Sequence, residues 1–395
     1  MRGRIGNLRV RLGNEILLGD PRRVIGERRV GLIVNHSSFT PDMRFLPAEL
    51  LRAGIRVTAI LGPEHGFAGA AQDMVAIDGR ALWNGIPVFS LYGSTVDSLS
   101  PPPEALGLVD ALVFDIQDVG SRYYTFVWTL ALAMRAASAA GKAVVVCDRP
   151  NPLGGRVVSG PGLEPGFESF VGLYPVPIRH GMTAGEIARH VRRAHGIDVD
   201  LHVIAMDGWT REMWWDGTGL PWIPPSPNMP TPNTAVVYPG GCLIEATDLS
   251  EGRGTTTPFE IVGAPGIDGD KLAQSLCERE LNGCVPRPVT FEPRFQKHAN
   301  RPCGGVFIHV TDREAFDGIR TFAHLIDVVH REFPRVFAWR GEAYEFVRDI
   351  PAIDLLAGSP RLRRAIESGG DIDDALNDGF ASRFRAMRDE DLLYP

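Results

Sequence analysis

At 395 residues the chain is too long for one ordinary hydrophobic core, so two domains are expected. Its 44% hydrophobic and 23% charged residues are those of a globular protein. A net charge of -7 argues against a nucleic-acid-binding surface, and no run reaches the roughly 18 apolar residues of a membrane span.

The N-terminal stretch MRGRIGNLRVRLGNEILLGD lacks the apolar centre of a secretory signal, so a cytoplasmic location is expected. The first half then alternates strand-like and helix-like segments. Strands are expected at 30–35, 56–62, 87–91, 109–115, 143–148 and 201–205, where Val, Ile and Leu run nearly unbroken, as in strands buried on both faces. Helix-favouring composition fills 42–53 and 124–140. A helix at 183–195 opens on Thr183 with Glu186 three places on, a capping box. This alternation predicts an α/β fold, a parallel sheet covered by helices.

Residues 207–240 break the pattern. They hold four of the seven tryptophans and the stretch LPWIPPSPNMPTPN, whose prolines read as a rigid extended connection. The domain boundary is placed near 235, giving domains of 1–235 and 236–395. The second half, with a strand at 306–310 and helices near 269–281, 314–332 and 360–368, reads as a smaller α+β domain. The sequence carries no internal repeat and no signal of oligomeric state.

Successive apolar runs of the first half stop at polar residues fit for chemistry. VGLIVN ends at Asn35 and His36, RVTAILGP at Glu64 and His65, PVFSL at Tyr92, ALVFDIQD at Asp115, Gln117 and Asp118, and AVVVCD at Asp148. In an open parallel sheet, ligands bind outside the carboxyl ends of the strands, so these groups are expected to form one polar pocket. The turn Pro63-Glu64-His65-Gly66 is the sharpest signal. A partly desolvated Glu64 would have a raised pKa and could act as general acid, or it could sit in a salt bridge at a strand end. Asp115 and Asp118 could bind a metal, share a proton or hold sugar hydroxyls, and Asp118 reads equally as a helix cap. Arg122, Tyr123 and Tyr124 follow at the same rim, and Arg149 reads as a partner of Asp148. Glu168 lies in a glycine-rich loop that permits close backbone approach to a ligand. Further on, Glu245, Glu251 and Arg253 belong to a polar segment, with Arg253 between two glycines and suited to grip a carboxylate or phosphate.

Five widely spaced cysteines without a CxxC pair indicate neither a disulfide framework nor a structural zinc site. GxGxxG after a strand, GxxxxGK[ST], HExxH and GxSxG are all missing from the sequence. The remaining inventory of carboxylates, histidine, arginine and aromatics suits sugar chemistry without a cofactor or metal. Two rival readings are a metal-dependent esterase or phosphatase built on Asp115, Asp118, His65 and Asp148, and a non-catalytic binder of cell-wall fragments.

The segments GPEHGF (62–67), LVFDIQDVGSRYYTF (112–126), DRPNPLGG (148–155), GPGLEPGFESFVGLYPVPIRHGMTAGE (160–186), MDGWTREMWWDGTGLPWIPPSPNMPT (206–231) and YPGGCLIEATDLSEGRGTTTPFEIVGAPGID (238–268) resemble the exo-β-N-acetylmuramidase family of the NamZ type. The resemblance implies a Rossmann-like domain carrying an auxiliary C-terminal domain, with the site in the cleft between them. It implies release of N-acetylmuramic acid from the non-reducing end of peptidoglycan fragments, so the partner is a carbohydrate, with no nucleic acid and no membrane. It carries a catalytic role to Glu64, with His65 beside it, makes Glu168 the next carboxylate to suspect, and puts Glu251 and Arg253 at the cleft. Asp115 or Glu251 would be alternative second carboxylates, and Arg253 or Arg122 would pair with the lactyl carboxylate of muramic acid. Asn35, His36, Asp118, Tyr124, Asp148 and Glu245 would complete the binding surface. The chain departs from the family pattern at His36, Ala246 and Asp248, and the extra carboxylate at Asp248 is expected to perturb a neighbour or alter the preferred sugar.

Overall fold

The structure is a computed structural model that describes residues 9–69 and 81–395. Among these, seven strands form one sheet: β1 Val30–Val34, β2 Val57–Gly62, β3 Ala81–Trp83, β4 Ile86–Ser90, β5 Ala111–Asp115, β6 Ala143–Cys147 and β7 Leu201–Ile204. Their spatial order is β3-β4-β2-β1-β5-β6-β7. Every neighbouring pair is parallel except β3 with β4. Apart from that antiparallel edge, the strands run third, second, first, fourth, fifth and sixth in chain order. That is the doubly wound Rossmann arrangement, with its switch point between β1 and β5.

The apolar runs are continuous because both faces of the sheet are covered. Leu112, Phe114, Val144 and Val146 point into one buried cluster. Their alternates Ala111, Val113, Val145 and Cys147 point into another, as the two-residue period of a strand requires. The helices Leu46–Arg52, Phe126–Ala139 and Ala184–Ala194 lie between strands in sequence, and Thr183 and Glu186 form the expected capping box.

The second half holds a three-stranded antiparallel sheet, β8 Ile261–Ala264, β9 Cys284–Phe291 and β10 Cys303–Val310, in the order β8-β10-β9. Helix Gly269–Cys277 packs against it, and helix Gly318–Glu332 packs on that helix. The proline-rich stretch 220–233 was expected to be extended, but its last two residues already belong to a helix, Pro232–Gly241. Proline at a helix start gives up no intrahelical bond, and Thr231 caps this end by accepting from the Thr234 N–H at 3.1 Å. Pro239 falls in the last turn, and Gly240 lets the helix lie against Gly318, whose carbonyl would stand 1.9 Å from any Cβ there.

The two halves share a core. The larger buried cluster runs from Phe114 and Trp128 through Tyr238 and Val262 to Phe322 and Leu356. The chain end also returns to the first half. Tyr394 donates its hydroxyl hydrogen to Asp148 at 2.6 Å, and Asp391 meets His190 at 2.8 Å. The last residues of the span 236–395 therefore pack on the sheet domain. Among the described residues no helix is long and apolar enough to cross a membrane.

Candidate active site between the two halves of the chain

Most of the polar groups at the strand ends are spent on one another. Asp115 is fully buried and receives Arg149 Nε at 2.6 Å and Asn14 Nδ2 at 3.0 Å. Arg149 therefore pairs with Asp115 rather than with Asp148. Asn35 Oδ1 accepts from the Ser37 N–H and hydroxyl, and its Nδ2 donates to the Pro225 carbonyl at 3.1 Å. Asp148 accepts from Thr183 Oγ1, the Gly185 N–H and Tyr394. The polar groups at the switch point are thus taken up by protein partners, and the expected single pocket across all the strand ends does not form. A buried polar group costs free energy unless it is hydrogen-bonded, so these pairs are what permit so many polar residues inside.

The pocket lies further along the sheet edge, where β2 ends and the second half closes over it. Glu64, His65, Tyr123, Tyr124, Thr125, Ser226 and Asn228 line it from the first half, and Tyr238, Glu245, Arg253, Phe259, Tyr344 and Glu345 from the second. Including its mouth it encloses about 510 Å³. Glu64 stands in a turn closed by the Gly66 N–H to the Pro63 carbonyl at 2.9 Å. His65 holds the left-handed conformation there, with φ 67°. Such a conformation is uncommon outside glycine and, at the lip of a pocket, points to function. Thr125 Oγ1 donates to Glu64 Oε2 at 2.6 Å, fixing one carboxylate oxygen.

On the other wall, Gly252 and Gly254 both have left-handed backbone, φ 80° and 83°, on either side of Arg253. A Cβ at Gly254 would stand 2.7 Å from the Phe295 backbone nitrogen. The Arg253 guanidinium meets Glu245 and Glu251, each at 2.9 Å, and lies 4.8 Å from the centre of the Phe259 ring. Tyr344 donates to the other oxygen of Glu245 at 2.8 Å. Burial alone would raise the Glu251 carboxyl, but Lys297 and Arg253 outweigh it and hold it at about 2. Glu251 is therefore a permanent anion that braces Arg253 from behind the pocket wall.

Other expected residues fall elsewhere. Glu168 is exposed, accepts from the Gly166 N–H at 2.8 Å and lines a neighbouring groove, not the pocket. Arg122 is fully buried and donates to three backbone carbonyls, so it cannot meet a ligand. Asp248 binds the Ala338 backbone at 2.8 Å and stays outside the pocket. His36 is half-buried, and burial lowers its pKa first, with Pro224 and His65 as smaller influences. Asp115, Asp118, His65 and Asp148 do not converge. Among the described residues no group of three or more His, Cys, Asp or Glu side chains could hold a metal.

Sequence reading missed Thr125, Tyr344 and Glu345. Thr125 precedes the helix Phe126–Ala139 yet makes no side-chain cap hydrogen bond, since its hydroxyl is given to Glu64. A threonine at a helix start beside two aromatics was the available signal. Tyr344 and Glu345 lie in a loop without any motif.

Asp118 is buried 3.9 Å from His180 Nε2, close enough for an ion pair. Burial instead drives both groups to their neutral forms. It raises Asp118 to about 7 and lowers His180 to about 3. An ordinary aspartate ionises near pH 4, so between about 4 and 7 the unfolded chain loses a proton that the native state keeps. Stability from this group therefore falls as pH rises through that window. Asp118→Asn keeps an acceptor for the Gly120 N–H, which Asp118 Oδ2 binds at 2.6 Å. The variant should gain up to a few kcal/mol over wild type at pH 7 and almost none at pH 4. Urea unfolding at the two pH values checks this, and an equal difference at both would refute it.

Comparison with known proteins places this geometry. The family models described as exo-β-N-acetylmuramidase NamZ, N-terminal and C-terminal, match residues 30–233 and 236–394. The chain is 42% identical over 393 residues to the peptidoglycan β-N-acetylmuramidase NamZ of Bacillus subtilis (strain 168), covering 98% of this chain and 92% of that protein. Two solved structures of DUF1343 family proteins from Bacteroides fragilis NCTC 9343 are also similar. One has a TM-score of 0.87 at 30% identity, covering 98% of this chain and 100% of its own. The other has a TM-score of 0.76 at 31% identity, covering 98% and 99%.

Proposed function

The chain belongs to the exo-β-N-acetylmuramidase NamZ family of glycosidases, and from that premise we propose how its own pocket cleaves a glycoside. The substrate is a peptidoglycan fragment with N-acetylmuramic acid at its non-reducing end. Glu64, fixed through Oε2 by Thr125, is the general acid that protonates the leaving glycosidic oxygen. Glu245, fixed by Arg253 and Tyr344, is the second carboxylate, acting as base or nucleophile. The observation that carries this reading is that one pocket brings together Glu64 from the end of β2 and Glu245 from the second half, each oriented by a hydrogen bond or ion pair.

A small pocket suits removal of one terminal sugar, and the rings of Tyr124, Tyr238 and Phe259 give it apolar walls. Arg253 pairs with the lactyl carboxylate that distinguishes muramic acid from glucosamine. The planar guanidinium fork matches a carboxylate in shape and charge.

The reading is tested by hydrolysis of a chromogenic β-N-acetylmuraminide against the matching β-N-acetylglucosaminide. Release from the muraminide alone, indifferent to chelator, is the expected result. Correctly folded protein that releases neither chromophore overturns it. Arg253→Gln should narrow the preference for the muraminide by about 10- to 100-fold, the worth of one charged contact of ~1.5–3 kcal/mol. An unchanged ratio of kcat/KM values would remove Arg253 from lactyl recognition.

A further inference from the structure

The proposed substrate is an anion, yet the pocket is lined mostly by carboxylates. Among its described lining residues Glu64, Glu245 and Glu345 are acids, and Arg253 is the one arginine or lysine. Arg253 is itself shared, meeting Glu245 and Glu251 at 2.9 Å each. A lactyl carboxylate brought to this guanidinium would join one cation that already faces two anions. Like charges gathered away from water cost free energy, so a second cation is needed close by.

Lys297 supplies it from behind the wall, outside the set of lining residues. Its Nζ donates to Glu251 Oε2 at 2.9 Å, while Arg253 Nη1 donates to Oε1, so one buried carboxylate is divided between two cations. The same ammonium donates to the carbonyls of Ile244 at 3.1 Å and Leu249 at 3.0 Å, which engages all three of its donors. Ile244 directly precedes Glu245. One side chain thus holds the whole segment that carries Glu245 and Glu251.

The backbone around Lys297 is strained. Gln296, His298 and Asn300 have φ of 66°, 57° and 59°, so Lys297 stands between two left-handed residues that are not glycine. Such conformations persist only where the surroundings impose them, and they concentrate at functional sites. Here the Arg294 N–H donates to the Gly254 carbonyl at 2.9 Å, and His298 Nε2 lies 2.7 Å from the Asp248 carbonyl. These bonds fasten the loop to the Arg253 segment on both sides of Lys297, and its shape delivers the ammonium to Glu251.

We propose that Lys297 determines specificity for an anionic sugar, cancelling the charge of Glu251 so that Arg253 keeps its own for the lactyl carboxylate. Lys297 touches no substrate and acts through Glu251. The proposal rests on the glycosidase reading above. With Lys297, the group of Glu245, Glu251, Arg253 and Lys297 is neutral. Without it, the group is one unit negative at the place where it must accept an anion. A neutral sugar of the same shape is indifferent to that change.

The test is calorimetric binding, at pH 7, of N-acetylmuramic acid and of its lactyl methyl ester, which lacks the charge. Lys297→Gln removes the cation but keeps N–H donors for the two carbonyls. It should weaken binding of the acid by about 3- to 30-fold, the coupling usual within one salt-bridge network, and leave the ester unchanged. Lys297→Arg should keep the preference for the acid. Adding Glu251→Gln to Lys297→Gln restores the charge count and should return most of that preference. The double variant buries no unbalanced carboxylate, so it gives the readout even if the single variant fails to fold. Equal weakening of acid and ester would make Lys297 a brace alone. That result, an unchanged affinity for the acid, or a double variant without preference for the acid overturns the proposal. The expected pattern in a protein that leaves the chromogenic muraminide intact would retain Lys297 as an anion-selecting residue and discard the glycosidase reading.

Discussion

Glu64→Gln should abolish turnover of a natural muramyl disaccharide, lowering kcat by about 10²–10⁴-fold with little change in KM. Glutamine keeps the shape of the side chain and an oxygen that can accept from Thr125, so binding and folding are preserved while the transferable proton is removed. The loss should depend on the leaving group. A sugar alkoxide is a poor leaving group and needs the proton, whereas a nitrophenolate leaves almost unaided. The same variant should therefore keep far more activity on an activated nitrophenyl muraminide than on the disaccharide. Equal loss on both substrates would mean that Glu64 is not the acid, and undiminished kcat on the disaccharide would remove it from the chemistry altogether. Thr125→Val makes a milder version of the same test, since it frees the carboxylate without removing it.

The sheet domain was legible because burial on both faces leaves a mark in composition. Runs such as ALVFD and AVVVC allow hardly any other reading, and their alternate residues do point into two different buried clusters. The second half was less legible for the same reason in reverse. Strand β9 is written CVPRPVTF, interrupted by two prolines and an exposed arginine, and β8 has only four residues. Helix Pro232–Gly241 was hidden by prolines that sit where a helix tolerates them. At the site, Glu64 could be found because its turn follows a buried strand directly. The other strand-end residues look identical in sequence, and nothing local tells Asp115, paired with Arg149, from a carboxylate facing a ligand. That distinction depends on partners far away in the chain. On the second wall Glu245 and Arg253 stood out in their polar segment, but Tyr344 and Glu345 were beyond reach, since they meet Glu245 and Tyr92 across 99 and 253 residues.

Arg122 separates a binding role from a structural one most sharply. Its side chain is fully buried, with Nη1 donating to the carbonyls of Pro161 at 3.0 Å and Val176 at 2.9 Å, and Nη2 to that of Leu356 at 2.6 Å. Leu356 belongs to the second half, so one guanidinium ties two loops of the sheet domain to the auxiliary part. Burial lowers its pKa to about 10, which still leaves it a cation at neutral pH. Arg122→Met fills much of the space but leaves three buried carbonyls without donors, at about 1–3 kcal/mol each before relief from no longer burying a charge. A net loss of roughly 3–5 kcal/mol is expected, a large fraction of the 5–15 kcal/mol that holds an ordinary domain together. Guanidinium unfolding at pH 7 measures it, and a loss below ~1 kcal/mol would show that water or repacking replaces the guanidinium. Kinetics on the folded fraction separates the two roles. A residue that met the lactyl carboxylate would raise KM for the muraminide and leave the glucosaminide unchanged. A residue that only fastens the two halves lowers stability and the amount of active protein, and leaves the ratio of kcat/KM for the two sugars where it was.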